Sequence, residues 1–380
     1  MKIINAKAFI NGEFVSTEVQ FDQSGIIAIG NDLPDDEVID AEGNYLYPGI
    51  IDCHNHGGWL RAFQYGEEDE FGTYEDRIRF LVEKLPEHGV TTVFPTLSGI
   101  NYEKVARTVR ELRKLRGKYE GARLDKFQFE GLYPSLKRYM TAEAVNPSRE
   151  HTDYIVDNDY SDVALFHVGP DLEGAIEWCD YMVSKGVDPT VGNTEASAED
   201  VFRAADHGLC QADHMFNGFK AMHHREAGAA AAVMYDDRIK AQLTCDGFHV
   251  DPLWVRILIK IKGLENVYGV SDMSEASGLP DGTHVVNGRK ITARDGFIYG
   301  EDGYIASGNM AINEVMKAAR DRCHLTMEEV GSLYCENVAK CLNITDRGKI
   351  EVGRKSDLVI MNEDYEALMT IIDGKVFYHR

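Results

Sequence analysis

The chain of 380 residues is too long for one small domain and suits a large domain that carries a smaller one. Its composition, 44% hydrophobic and 27% charged, is that of a folded protein, and no segment approaches the roughly 18–20 apolar residues of a membrane helix. With 40 basic against 63 acidic residues, the net charge of −23 argues against nucleic acid or an anionic membrane as partner. A small anionic substrate remains open, because it answers to the local field.

Taken in order, the opening MKIINAKAFING alternates polar and apolar residues, and Asn11-Gly12 suits a two-residue hairpin turn. It lacks the continuous apolar core of a secretory signal. The end of the chain repeats the pattern in KIEVGRKSDLVIMNED and MTIIDGKVF, with Asp373-Gly374 as the turn. Neither end has strands enough for a core of its own. Residues 1–48 and 346–380 are therefore expected to form one small β-sandwich, with residues 49–345 inserted between them. The seven cysteines are scattered without a C-x-x-C pair, which fits a reducing cytoplasm better than a disulfide framework.

Within the insert, residues 102–116 place Val105, Val109, Leu112 and Leu115 on one helical face. Ser197 with Asp200, and Thr326 with Glu329, have the spacing of capping boxes. Short apolar runs alternate with such helices: LYPGIIDCHNH, TTVFPT, KFQFEG, VALFHVG, PTVGNT, QADHMFN, KAQLTCDG and VYGVSDM. Eight runs alternating with helices predict an α/β fold, a (β/α)8 barrel of the TIM type. The polar residues end these runs: His54, His56, Glu130, Asn193, His214, Asp246, His249 and Asp272. A barrel converges those ends on one face, so residues far apart in sequence are expected to share one pocket.

Alternate strand residues point the same way, so His54 and His56 can face a pocket and hold one metal. Adding Glu130, His214 and Asp272 gives an imidazole and carboxylate set for a borderline divalent ion. Zn²⁺ is the default, and Fe²⁺ and Mn²⁺ are compatible. Such an ion lowers the pKa of bound water, and a carboxylate such as Asp272 can move that proton to a leaving group. That chemistry is hydrolysis. Phe127 and Phe129 read as barrel packing, and Glu67–Asp76 as a solvated acidic loop. Trp59, just beyond the His pair, is a candidate for the pocket border. His151, His167, His207, His284, His324 and His379 lack a ligand partner at useful spacing.

The motifs PGIIDCHNHG, GVTTVFPT, FEG, DHMFNGF, HHREAG, CDGFHV and VSDM resemble, in this order, the N-acetylglucosamine-6-phosphate deacetylases of the amidohydrolase superfamily. The closing DRGKIEVGRKSDLVIM is similar too, so the resemblance covers nearly the whole chain. It implies metal-dependent N-deacetylation and a homodimer. It also implies that Glu130 and His214 ligate metal, that Asp272 is catalytic, and that Asn217, Gly218, Arg225 and His249 bind the sugar phosphate. An Arg, an imidazole and amide donors make a sensible anion site.

The chain departs from the family at several points. Asn193 stands where the family has a metal-ligating His, and Gln128 replaces the His of His-x-Glu-Gly-Pro. The family's Ala-Met after Phe-Asn is Gly218-Phe219, and residues 136–140, ending at Met140, lack the carbonyl-orienting His. An amide is a poor zinc ligand, so a single metal held by His54, His56, Glu130 and Asp272 is expected. The reading is removal of acetyl from N-acetylglucosamine 6-phosphate. Its alternatives are a different N-acyl sugar, such as N-acetylgalactosamine 6-phosphate, or another small amide. A degenerate, non-catalytic sugar-phosphate-binding scaffold is the rival from another class.

Overall fold

The structure, a computed structural model, describes residues 1–34, 37–137, 144–286, 289–303 and 305–380. Eight parallel strands pair in chain order: β1 Ile50–Asn55, β2 Val90–Ser98, β3 Phe127–Glu130, β4 Val163–Val168, β5 Asp188–Val191, β6 Gln211–Ala212, β7 Lys240–Leu243 and β8 Val267–Gly269. A parallel bridge between Asn55 and Met273 joins the segment after β8 back to β1. Asp272 N–H donates to His54 O at 3.0 Å, and His56 N–H to Met273 O at 2.8 Å. The eight apolar runs are these eight strands, and the TIM-like barrel is the fold.

Strands as short as two residues suffice because both faces of each are buried and helices cover the outside. The helix Tyr102–Leu115 buries the expected stripe of Val105, Val109, Leu112 and Leu115, with Asn101 as its N-cap. Both capping boxes are formed, Ser197 with Asp200 and Thr326 with Glu329. Each satisfies two otherwise orphaned backbone donors at a helix start. The acidic stretch is a loop only in part. The helix Tyr74–Lys84 begins inside it, capped by Thr73 and Asp76.

Strands from both ends of the chain share one eight-stranded sheet, with Leu358–Met361 pairing against Tyr45–Pro48. The turns at Asn11-Gly12 and Asp373-Gly374 join adjacent antiparallel strands. Strand alternation splits its side chains between two cores. Leu46, Leu358 and Ile360 pack with Ile3, Val19 and Phe21, while Tyr47, Val359 and Met361 belong to the barrel's core. One sheet thus builds its own core and anchors the barrel.

A further four-stranded antiparallel sheet, Gly282–Val286, Arg289–Arg294, Phe297–Tyr299 and Ile305–Gly308, lies between β8 and the helix Ile312–Asp321. It was not anticipated. Buried Ala276, Ala293 and Ile298 form its small core, and it walls one side of the barrel mouth. Among the described residues no helix is long and apolar enough to cross a membrane.

Candidate active site

The ends of β1, β3, β6 and β8 bring five polar side chains to one point. His54 Nε2 and His56 Nε2 lie 3.2 Å apart. Asp272 Oδ1 is 3.4 Å from the first and 3.7 Å from the second, and Glu130 Oε2 is 3.7 and 3.2 Å from them. His214 Nε2 approaches Glu130 Oε1 at 2.8 Å from the other side. Between the two histidines Asn55 turns away, donating to Asp52 and accepting from the Gly57 N–H, which locks the strand end.

Behind the cluster, a buried amide network orients His54. Its Nδ1 lies 2.8 Å from Gln242 Oε1, 3.1 Å from Asp213 Oδ1 and 2.8 Å from Gln128 Nε2, so two acceptors and an amide donor crowd the same nitrogen. Gln128 Nε2 donates to Asp213 Oδ1 at 2.8 Å, and Gln242 Nε2 donates to Gln128 Oε1 at 3.0 Å. With Nδ1 turned into this network, Nε2 is the nitrogen presented to the cluster. Sequence reasoning treated Gln128 only as a departure and missed Asp213 and Gln242. Asp213 stands beside His214 in the ADHM motif, a signal that could have marked it.

The electrostatics are those of a cation site. Burial alone would push Asp272 and Glu130 up, but the neighbouring imidazoles hold both below the usual carboxylate range. Burial likewise opposes charge on the histidines. The carboxylates, Asp213 foremost, nevertheless raise His54 well above the usual imidazole value and His214 to about 9. Ionised carboxylates are thus balanced here by protons on imidazoles, which is what a divalent cation would replace. His54, His56 and Asp272 form one group with donor atoms close enough for a metal, and Glu130, Asp213 and His214 a second. Asp213 Oδ2 and His214 Nδ1 are buried without a hydrogen-bond partner, so the second group is incompletely satisfied.

Asn193 adjoins that second group as an amide. Its Nδ2 donates to Glu130 Oε1 at 2.9 Å, so it acts as a donor toward the carboxylate. Asn217 and Gly218 lie on the adjoining loop, where Asn217 Nδ2 is buried with no partner and the Gly218 O accepts from Thr194 N–H at 2.9 Å. His249 Nδ1 lies 2.6 Å from Asp246 Oδ2. Burial opposes its protonation, yet Asp246 raises its pKa above the usual value. Arg225 is exposed and makes no ion pair among the described residues.

His167 is fully buried, bridging the Gly131 N–H and the Gly192 carbonyl. Trp59 stacks on His88 and is not part of the cavity wall. Phe127 and Phe129 are buried in the core. Met140 and its neighbour Tyr139 lie outside the described residues.

A (β/α)8 barrel thus gathers a His-x-His pair, a glutamate, a histidine and an aspartate at its C-terminal mouth, and the model of the Amidohydrolase family matches residues 265–377. Over most of its length the chain is similar to N-acetylglucosamine-6-phosphate deacetylases. It is 26% identical over 341 residues to the one from Bacillus subtilis (strain 168), covering 88% of this chain and 84% of that protein. It is 22% identical over 358 residues to an N-acetylgalactosamine-6-phosphate deacetylase of Escherichia coli O157:H7, covering 93% and 92%. The crystal structure of the N-acetylglucosamine-6-phosphate deacetylase from Pasteurella multocida matches with a TM-score of 0.89 at 23% identity, covering 99% of this chain and 98% of that one. The fold is theirs.

Proposed function

We propose that the chain is a metal-dependent hydrolase that removes acetyl from an N-acetylated amino-sugar phosphate, N-acetylglucosamine 6-phosphate first. The observation that carries this reading is the convergence of His54, His56, Glu130 and Asp272 at the barrel mouth. These four residues would hold one divalent ion, Zn²⁺ by the chemistry of the donors, with Asn193 weakening a second site. When bound, the ion would supply an acidified water and polarise the acyl carbonyl.

The rest falls to the chain's own residues. Asp272, held ionised by its imidazole neighbours, takes a proton from the attacking water and returns it to the departing amine. Gln242 and Asp213 fix the ring of His54. Asn217, Gly218, Arg225 and His249 would bind the sugar phosphate, and the unpartnered amide of Asn217 supports that assignment. All seven cysteines are free, which supports a reducing cytoplasm. The resemblance also carries a homodimer, which sedimentation would measure.

The test is acetate release from N-acetylglucosamine 6-phosphate and its galacto epimer by metal-replete protein. Asp272→Asn should lower turnover by about 10²–10⁴-fold with substrate binding kept. Near-normal turnover in that variant removes Asp272 from the chemistry. A faster galacto epimer would place the chain with the Escherichia coli relative.

A further inference from the structure

The inference rests on the reading above, in which Asn217, Gly218, Arg225 and His249 bind the sugar phosphate. A phosphate ester carries about two negative charges near pH 7. It would enter a chain of net charge −23, at a mouth that already holds Glu130, Asp213 and Asp272. Such a ligand needs a local cation. Asn217 and Gly218 offer neutral amides, and Arg225 stands exposed. His249 alone of the four is a largely buried group that can carry charge.

What surrounds His249 is built to charge it. Asp246 is buried, and its Oδ1 accepts from the backbone N–H groups of Phe248 and His249, both at 2.9 Å. That leaves Oδ2 aimed at His249 Nδ1, 2.6 Å away, the short contact of a charge-assisted bond. Arg322 Nη1 holds the turn from outside by donating to the Asp246 carbonyl at 3.0 Å. The last strand of the small sheet covers the pair. A Cβ on Gly308 would lie 3.6 Å from His249 Cε1 and 3.7 Å from Asp246 Oδ2. Phe297 of the same sheet meets Phe248, with ring centroids 3.9 Å apart. Shielded from water on that side, the carboxylate acts on the ring with little screening. His249 Nε2 makes no hydrogen bond among the described residues and is the atom left for a ligand.

We propose that Asp246 is a positioning residue that makes His249 the cationic contact of the substrate's phosphate, so that this pair sets the preference for phosphorylated amino sugars. Burial alone would keep the ring neutral, and His214 repels a charge on it. Asp246, helped by Asp272, overcomes both and raises the pKa of the ring above its usual value. Arg322, the other charge nearby, meets the Asp246 carbonyl and the Phe248 ring rather than the imidazole.

The experiment measures kcat and KM between pH 5.5 and 8.5 for whichever N-acetylhexosamine 6-phosphate epimer is turned over. It uses metal-replete unaltered protein, Asp246→Asn, His249→Gln and the double variant. Asp246→Asn keeps an oxygen to accept from Phe248 and His249 and turns an amide N–H toward Nδ1. The turn is thereby preserved while the ring loses its charge. Exchanging a charged donor for a neutral one should raise KM about 10-fold near pH 7, with kcat changed far less. As the pH falls and the variant's ring takes up its own proton, the ratio of the two KM values should shrink. Adding Asp246→Asn to His249→Gln should cost nothing further. An unchanged KM in Asp246→Asn overturns the inference alone. So does a loss that falls on kcat, stays constant over pH or persists in the His249→Gln background, because each marks a purely structural role. If the metal-replete unaltered protein turns over neither epimer, the deacetylase reading fails and the inference falls with it.

Discussion

Asn193 and Gly218 are fitted to each other. A Cβ added to Gly218 would collide with Asn193 Oδ1, and Gly218 itself has φ +71°, in the left-handed region. The two departures from the family pattern therefore belong together. The amide at 193 needs the space that the family's Ala would fill, and in that position it donates to Glu130. Gly218→Ala is expected to cost about 1–3 kcal/mol in urea denaturation through overpacking and backbone strain. Asn193→Ser should relieve the overpacking part, so the double variant should be more stable than the sum of the single losses. Strictly additive losses would show that the two sites are independent.

Metal content gives the next prediction. With Asn193 donating to Glu130 Oε1, the second donor group has His214 as its one imidazole. The purified, metal-replete protein should carry one divalent ion per chain by elemental analysis, and Asn193→His should raise this toward two. Two tightly held ions in the unaltered protein would mean that Asp213 completes the second site unaided.

Gln242 would act on the proposed metal site through His54. Its Oε1 lies 2.8 Å from His54 Nδ1, and its amide is held in turn by Gln128. Removing such an outer partner commonly weakens metal binding by about 10–100-fold. Gln242→Leu should show that loss in a chelator competition, with kcat partly restored at saturating metal. An unaltered affinity would leave Asp213 and Gln128 as the groups that orient the ring.

The barrel was legible because most of the short apolar runs end in a polar residue, and a barrel gathers those ends. The hairpin turns at Asn11-Gly12 and Asp373-Gly374 and the capping boxes at Ser197 and Thr326 depend on neighbours in sequence, so local spacing sufficed. The small sheet escaped notice although Asp295-Gly296 and Asp302-Gly303 are hairpin signals. It interrupts the helix expected after β8, and its strands expose much of their surface. Asp213, Gln242 and the Asn193–Gly218 fit were beyond the sequence for a different reason. Their meaning lies in what they touch, across separations such as the 188 positions between His54 and Gln242.

His167 supplies the pH dependence. Its Nδ1 accepts from Gly131 N–H at 2.8 Å and its Nε2–H donates to the Gly192 carbonyl, so the neutral ring ties the loop after Glu130 to the loop before Asn193. Burial holds its pKa below the usual imidazole value despite the charge of Asp213. The unfolded chain takes up a proton near pH 6.5, where the folded chain does not. Below that pH the unfolded state binds more protons, and stability falls until the folded pKa is reached. The slope is at most about 1.4 kcal/mol per pH unit for one group. Urea denaturation at pH 7.5 and 5.5 should show a larger loss for the unaltered protein than for His167→Gln, which cannot titrate. Equal losses would place the acid sensitivity in other groups and leave His167 as packing alone.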